Sequence, residues 1–416
     1  MLARLHVQGF KSLNDVEVSL PRLTVLFGPN AAGKSNLLDS VQALSRIGTS
    51  RTLSDALAEP IRGYSTEAFA LPPGGLAALL SMKESRFTLE ADLALGKDCK
   101  DLFRYRVGVA IQPASGGLTI TDEYLTALTS KGEPKGNPTI ELVGDQLRIR
   151  RKSKPAHPRQ EPVGLNHSLL SDPRLGGVEY RAIERCRNEL VGWRVYYLDP
   201  RVAMRSAKPP AEVTDIGVLG EDIAPFLYRL RAEHPRNFQA IKRTLRSVVP
   251  SIEDLEVDLD HRRGTLDVLI RQDGTDYSSR IISEGTLRVL ALCAIAANPW
   301  GGSLIAFEEP ENGVHPRRIE LVASLLLSIA ESQRRQVIIT THSPLFCDAV
   351  LRGAKELPDK PDVALFNVRR DSGGTQVSPF DPSAPLFQDS EISRALTSER
   401  EDGLFESLAM RGMLDG

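Results

Sequence analysis

Only four cysteines, Cys99, Cys186, Cys293 and Cys347, are scattered through 416 residues, and no two form a Cys-x-x-Cys pair. That sparseness excludes a disulfide scaffold and a cysteine-built zinc site. No apolar run approaches the roughly 18 residues needed to span a bilayer. Met1 to Gln8 alternates apolar and polar residues where a signal peptide would have an apolar core. An excess of one charge is missing too. A formal net charge of −2, with 25% charged residues, excludes indiscriminate nucleic-acid binding by a globally basic chain but leaves room for a local basic surface. No heptad pattern is sustained, so no long coiled-coil arm is expected. Internal repeats and low-complexity blocks are also absent. The expectation is a reduced, cytoplasmic protein of two or three lobes with no membrane segment.

What is present begins at Gly28-Pro29-Asn30-Ala31-Ala32-Gly33-Lys34-Ser35, a full match to the phosphate-loop pattern GxxxxGK[ST]. It follows an apolar run, Leu23 to Phe27, and opens a helix-like run, Asn36 to Ile47, which is the context the pattern needs. Backbone N–H groups of the loop and helix start would cradle phosphate oxygens, with Asn36 counted among the nucleotide-binding residues. Lys34 would reach the outer phosphates, and the Ser35 hydroxyl would hold Mg²⁺.

A second apolar strand, Ser303 to Phe307, ends in Glu308-Glu309-Pro310-Glu311-Asn312. Carboxylates at the C-terminal tip of a buried strand sit where parallel sheets bind ligands. One carboxylate can join Mg²⁺, and the next can take the proton of an attacking water. The plain alternative is a solvated turn. A third strand, Gln336 to Thr340, ends in Thr341-His342-Ser343-Pro344. Ser343 and Pro344 suit a helix start, and His342 would meet a terminal phosphate or the attacking water at the same sheet edge. Ser283-Glu284-Gly285 precedes an apolar helix, Leu287 to Ala297. It reads either as an anion-binding helix start or as an ordinary cap on a core helix.

Around these motifs, Leu2–Val7 and Val16–Leu20 read as strands about a turn at Ser12–Asp15. Five more strands are expected between residues 86 and 151, then an exposed polar loop from Arg151 to Asn166. A helical stretch, Ile223 to Leu245, should break near His234-Pro235. Val363–Arg369 and Thr375–Phe380 should form a hairpin, with a terminal helix from about Arg394. The basic stretch Arg148 to Lys154 reads first as a solvated loop. Contact with a nucleic-acid backbone is the lesser reading, since no aromatics interleave.

The motif order resembles that of ATP-binding-cassette ATPases. Gln8-Gly9-Phe10-Lys11-Ser12 and the tract Glu308 to Pro316 are closest to the branch holding RecF, the structural-maintenance-of-chromosomes (SMC) heads and the overcoming-lysogenization-defect ATPases. The resemblance implies an α/β P-loop ATPase head, with a mostly parallel core sheet, an antiparallel β layer and a helical signature lobe. The expected division is 1–47 and 276–350 for the ATPase head, 48–200 for an insertion and β layer, 201–275 for a helical lobe, and 351–416 for a C-terminal hairpin and helix.

By the same resemblance, Gly28 to Ser35 is the Walker A loop and Glu308-Glu309 closes Walker B, with Glu309 as the base. Ser283, Glu284 and Gly285 are the signature that meets ATP on an opposite subunit. Asn312 to His315 links two sites across a dimer, His342 is the switch histidine, and Lys11 approaches the nucleotide. Glu308 departs from the usual Asp. Ile-Ser-Glu-Gly-Thr departs from the transporter signature, and about 270 residues separate the Walker motifs, which argues against a transporter motor. Gln112 and Glu123 are weak candidates for the Gln loop.

Some relatives append a Toprim nuclease with an Asp-x-Asp pair. The 74 residues after His342 contain none, so no nuclease is expected in cis. The implied protein is an ATP- and Mg²⁺-dependent homodimer sealed through an ATP sandwich. It would act on DNA or gate a nuclease or toxin effector in trans, in repair or anti-phage defence. The alternatives are a transporter motor and a nucleotide-sensing scaffold with negligible turnover.

Overall fold

The computed structural model describes residues 1–58, 61–96, 98–154, 156–332, 335–357 and 362–380. The chain forms two compact units, and the expected terminal helix from Arg394 lies outside the described residues.

The first unit comprises 1–21, 28–193 and 366–379. Its main element is an eight-stranded antiparallel sheet in the order Leu13–Ser19, Leu2–Phe10, Ser85–Leu95, Asp101–Gln112, Gly117–Leu128, Ile140–Val143, Gln146–Ile149, Arg159–Pro162. Side chains alternate between the two faces, as the strand period demands. Leu5, Val7, Val18, Leu89, Ala91, Tyr105 and Val107 are buried. The other face carries a ladder of charges, with Arg4 on Glu90 (2.8 Å), Arg104 bidentate on Asp92 (2.7 and 2.8 Å) and Arg106 on Asp122 (2.7 Å). Such partly exposed pairs add at most about 1 kcal/mol each, so the buried face supplies most of the stability, at about 1.5–3 kcal/mol per large apolar side chain. Helices Lys34–Ile47 and Arg181–Val191 meet in this unit, where Ser45 Oγ donates to Leu190 O at 2.7 Å.

Two expectations in this unit need correction. The first hairpin turns at Lys11-Ser12, two residues earlier than Ser12–Asp15 would have it. Leu13 is fully buried and pairs with Phe10, so its apolar side chain draws it into the strand, and Lys11 takes the left-handed φ of 51°. Within the polar loop 151–166, Arg159–Pro162 forms the last strand, paired with Gln146–Ile149. An edge position tolerates Pro162 because one side of the strand needs no donor.

Among the described residues, the second unit comprises 22–27, 194–365 and Phe380. Leu304–Glu308, Gln336–Thr341 and Leu23–Phe27 are parallel neighbours, in register Glu308↔Thr340↔Leu26. All three are nearly continuous apolar runs, as strands covered on both faces should be. Tyr196 stacks on Phe307 with centroids 5.4 Å apart. Helix Glu284–Ala296 is buried on almost every side, from Leu287 to Ile295. The helix pair Ile223–Glu233 and Pro235–Val248 breaks at His234-Pro235 as expected, with Pro235 at the first helical position. A three-stranded antiparallel sheet adds Thr275–Ser278, a strand not foreseen, to Asp254–Asp260 and Thr265–Gln272. The hairpin expected after residue 362 is present as Val363–Asp371 and Gly374–Phe380. No helix among the described residues is long and apolar enough to cross a membrane.

Candidate functional site

Helix Lys34–Ile47 starts unusually. Gly33 stands at its N-cap with φ 107°, no side chain caps it, and its first turn holds no acidic residue. A helix start without a side-chain cap or a first-turn carboxylate is the arrangement that binds anions. Lys34 is 5% exposed, and its ammonium donates to the carbonyls of Gly28 and Pro29, both at 2.8 Å. Pro29, Asn30 and Ala31 are exposed, whereas Ala32 is buried. Thr375, from the C-terminal hairpin, donates to Ala32 O at 2.9 Å and lies 2.6 Å from Ser12 Oγ. Asn36 donates to the same Ser12 oxygen at 2.7 Å. A Cβ on Gly33 would sit 2.0 Å from Thr375 Oγ1, so only glycine fits there.

Lys11 is anchored within this unit rather than extended. Its ammonium bonds Asp39 Oδ2 at 2.6 Å and Arg62 O at 2.9 Å, and the Asp39 side chain is fully buried. Lys11, Ser12, Asn36, Arg62 and Arg370 line a cavity of about 460 Å³.

In the second unit, the tips of neighbouring strands bring Glu309 and His342 together, with Glu309 Oε1 3.0 Å from His342 Nδ1. Glu308 closes its strand opposite Thr340. Glu309 leaves the sheet in the left-handed region, φ 45°, while its N–H still donates to Thr340 O at 3.0 Å. A non-glycine residue held there is uncommon and marks an over-determined turn. The turn continues with Asn312 N–H donating to Glu309 O and Val314 N–H to Glu311 O. Ser343 caps helix Pro344–Glu356 by accepting from Phe346 N–H, as expected.

Ser283 is likewise a true N-cap, accepting from Thr286 N–H at 3.3 Å. Glu284 pairs with Arg201 at 2.9 Å. A Cβ on Gly285 would meet Gly313 O at 2.2 Å, so the helix start and the Asn312–His315 segment touch backbone to backbone.

Of the weak Gln-loop candidates, Glu123 is ruled out. It is fully buried and accepts from Ser168 Oγ, Tyr105 Oη and the amides of Leu169 and Leu170, and burial pushes its carboxyl up. A carboxylate with that many internal donors is structural. Gln112 ends a strand, exposed. In the basic stretch, Arg150 is bonded to Glu141 and to Pro138 O, which weakens the nucleic-acid reading.

Three residues near the motifs were missed: Glu311, Thr341 and Thr375. Glu311 was visible in sequence only as a third carboxylate in Glu308-Glu309-Pro310-Glu311, and Thr341 only as the neighbour of His342. Among the described residues no three His, Cys, Asp or Glu side chains converge on a metal.

Three parallel neighbours ending in a phosphate loop, a glutamate pair and a histidine follow the plan of ATP-binding-cassette ATPases. RecF and the SMC heads, to which this chain is similar, stand in that class. The chain belongs to the family described as "AAA domain, putative AbiEii toxin, Type IV TA system", whose model matches residues 23–348. It is 41% identical over 68 residues to "DNA replication and repair protein RecF" of Anaeromyxobacter dehalogenans (strain 2CP-C). That stretch is 16% of this chain and spans only 18% of the RecF protein.

Two solved structures share the fold, each with a TM-score of 0.50. One is the SMC head bound to the C-winged helix domain of ScpA, 14% identical, with 92% of this chain and 98% of that one covered. The other is the Smc head domain with an extended coiled coil bound to the C-terminal domain of ScpA, derived from Pyrococcus furiosus. It is 12% identical, with 95% and 99% covered. At those identities the likeness is one of fold.

Proposed function

We propose that this chain is a Mg²⁺-dependent ATPase whose two copies close head to tail around ATP. The observation that carries the reading is the Glu309–His342 contact at 3.0 Å on the tips of adjacent parallel strands, in a chain whose third tip runs directly into Gly28. The amides of Gly28 to Ser35 and the Lys34 ammonium hold the phosphates, Lys34 exchanging its two carbonyl partners for phosphate oxygens. Asn36, Lys11 and the cavity beside them serve the rest of the nucleotide. Ser35 and Glu308 are hard oxygen donors, which suits Mg²⁺, an ion that keeps several waters and takes few protein ligands. When bound, the ion neutralises charge on the phosphate oxygens. Glu309 accepts the proton of the attacking water, and His342 holds that carboxylate in place while facing the terminal phosphate.

Ser283, Glu284 and Gly285 are assigned to the ATP of the second copy. Ser283 is exposed at a capped helix start. Ser283→Arg should block dimerisation and turnover together, and mixing it with Lys34→Ala chains should leave at most one intact site per mixed dimer. Light scattering paired with ATPase assays checks this, and full activity from a strict monomer would sink it.

In the cell the ATPase is proposed to act on DNA or to gate a nuclease or toxin in trans. The family description names a toxin system, and the local relative is a DNA-repair protein. Both neighbouring SMC heads are described bound to ScpA, which supports a protein partner. The purified chain should hydrolyse ATP yet leave plasmid, linear DNA and RNA intact with Mg²⁺ or Mn²⁺. Metal-dependent cleavage abolished by a point substitution in this chain would refute the effector in trans.

A further inference from the structure

The segment bearing Glu309 and the segment bearing His342 are joined twice. The outer link is the Glu309–His342 contact itself, with His342 47% exposed. The inner link lies beneath it. Glu311, 6% exposed, bonds Thr341 through one carboxylate oxygen, and Thr341 is fully buried. Thr341 Oγ1 also accepts from Ser343 N–H at 2.9 Å, so a single hydroxyl connects the Glu311 turn to the cap of helix Pro344–Glu356. The second Glu311 oxygen is buried without a hydrogen-bond partner among the described residues.

That placement is a poor choice for stability. A buried, half-satisfied carboxyl is costly, and an apolar side chain would serve better as packing. Like charge aggravates it, because Glu309 stands two residues away. Burial pushes the Glu311 carboxyl up to about 7, Thr341 and His342 pull it down, and the Glu309 charge adds to the rise. Arg288 on the helix after Ser283 and Cys347 on the helix after Ser343 share this environment. A costly group beneath a reactive pair is where function is expected to outweigh stability.

We propose that Glu311 is a positioning residue for the hydrolysis assigned above, a buried strut that acts through Thr341 to fix the separation of Glu309 and His342. The exposed outer contact must open and close as water and phosphate arrive, and the inner link keeps its two sides in register while it does. The inference rests on the ATPase reading for its catalytic consequence, but the strut itself is a structural claim that can be read without turnover.

The test uses the full chain and four variants: Glu311→Ala, Glu311→Gln, Thr341→Val and the Glu311→Ala/Thr341→Val double. Glu311→Ala and Thr341→Val should each lower kcat by roughly 10²-fold, the scale of a small misplacement of reacting groups. KM for ATP should stay within about twofold, because neither residue is among those assigned to the nucleotide. Glu311→Gln keeps a polar bond to Thr341 and should recover most of kcat. The double variant should be no worse than either single, as for two residues in one link. In parallel, the ¹⁵N resonance of His342 Nδ1 should move in Glu311→Ala and Thr341→Val but stay in Glu311→Gln.

Unchanged kcat in both single variants, or losses shared equally by Glu311→Gln, would overturn the strut. If Glu311→Ala fails to fold, Thr341→Val carries the comparison. If the parent chain itself turns over no ATP, the ATPase reading fails while the His342 resonance still decides the strut: movement in Thr341→Val upholds it and an unmoved signal overturns it.

Discussion

Lys34→Ala is expected to abolish nucleotide binding. The Lys34 ammonium is almost completely buried and makes two 2.8 Å bonds to carbonyls of its own loop. On ATP binding those neutral acceptors would give way to phosphate oxygens, and hydrogen bonds between charged groups are about twice as strong. Two such bonds are worth about 3–6 kcal/mol together, or roughly 10²- to 10⁴-fold in affinity. The helix amides remain in the variant, since the cap at Gly33 is unchanged, so any residual binding should be weak and sensitive to salt. The loss of the lysine should not unfold the loop, because Thr375 still holds Ala32 O and Ser12 from the hairpin side. Isothermal titration with MgATP checks this. Binding at parent affinity would remove Lys34 from the proposed phosphate site.

Glu309→Gln should separate binding from chemistry. The amide has the size of the carboxylate and can still meet His342, so the turn with φ 45° at residue 309 should persist. It cannot accept a proton from water. Loss of a general base lowers turnover by roughly 10² or more, whereas ATP affinity should stay near that of the parent. With hydrolysis blocked, the ATP-bound dimer should accumulate and become visible by light scattering. Hydrolysis at the parent rate would show that Glu309 is not the base. Paired with Lys34→Ala, this variant distinguishes a chain that cannot bind from one that binds and cannot turn over.

Much of the architecture was legible because its signals are local. An apolar run followed by glycine, lysine and serine marks a strand, a loop and a helix through backbone preferences alone. Ser283 and Ser343 announced helix starts, and both cap as read. Pro235 broke the helical stretch because proline lacks a donor and clashes with the turn before it. Arg159–Pro162 was not legible, since three polar residues and a proline carry no strand preference and the strand exists only by pairing with Gln146–Ile149. The partners of Lys11 were not legible either, because Asp39 and Arg62, which hold its ammonium, lie 28 and 51 residues away in sequence. Glu123 looked polar and available, yet it closes a buried network with residues more than 40 positions downstream.

By itself the sequence determined the chemistry on offer: a phosphate loop, a glutamate pair and a histidine, each at the end of an apolar strand, on a chain without cysteine clusters or membrane-length runs. It could do so because strand, turn and cap preferences act over a few residues. Tertiary structure alone decided the partners. It set Glu309 against His342 across 33 positions, placed Thr375 behind the loop at Ala32 across 343, and buried Glu311 against Thr341 with one oxygen unmatched among the described residues. Those choices depend on strand order and parallel register, which bring distant tips side by side and which no local pattern encodes.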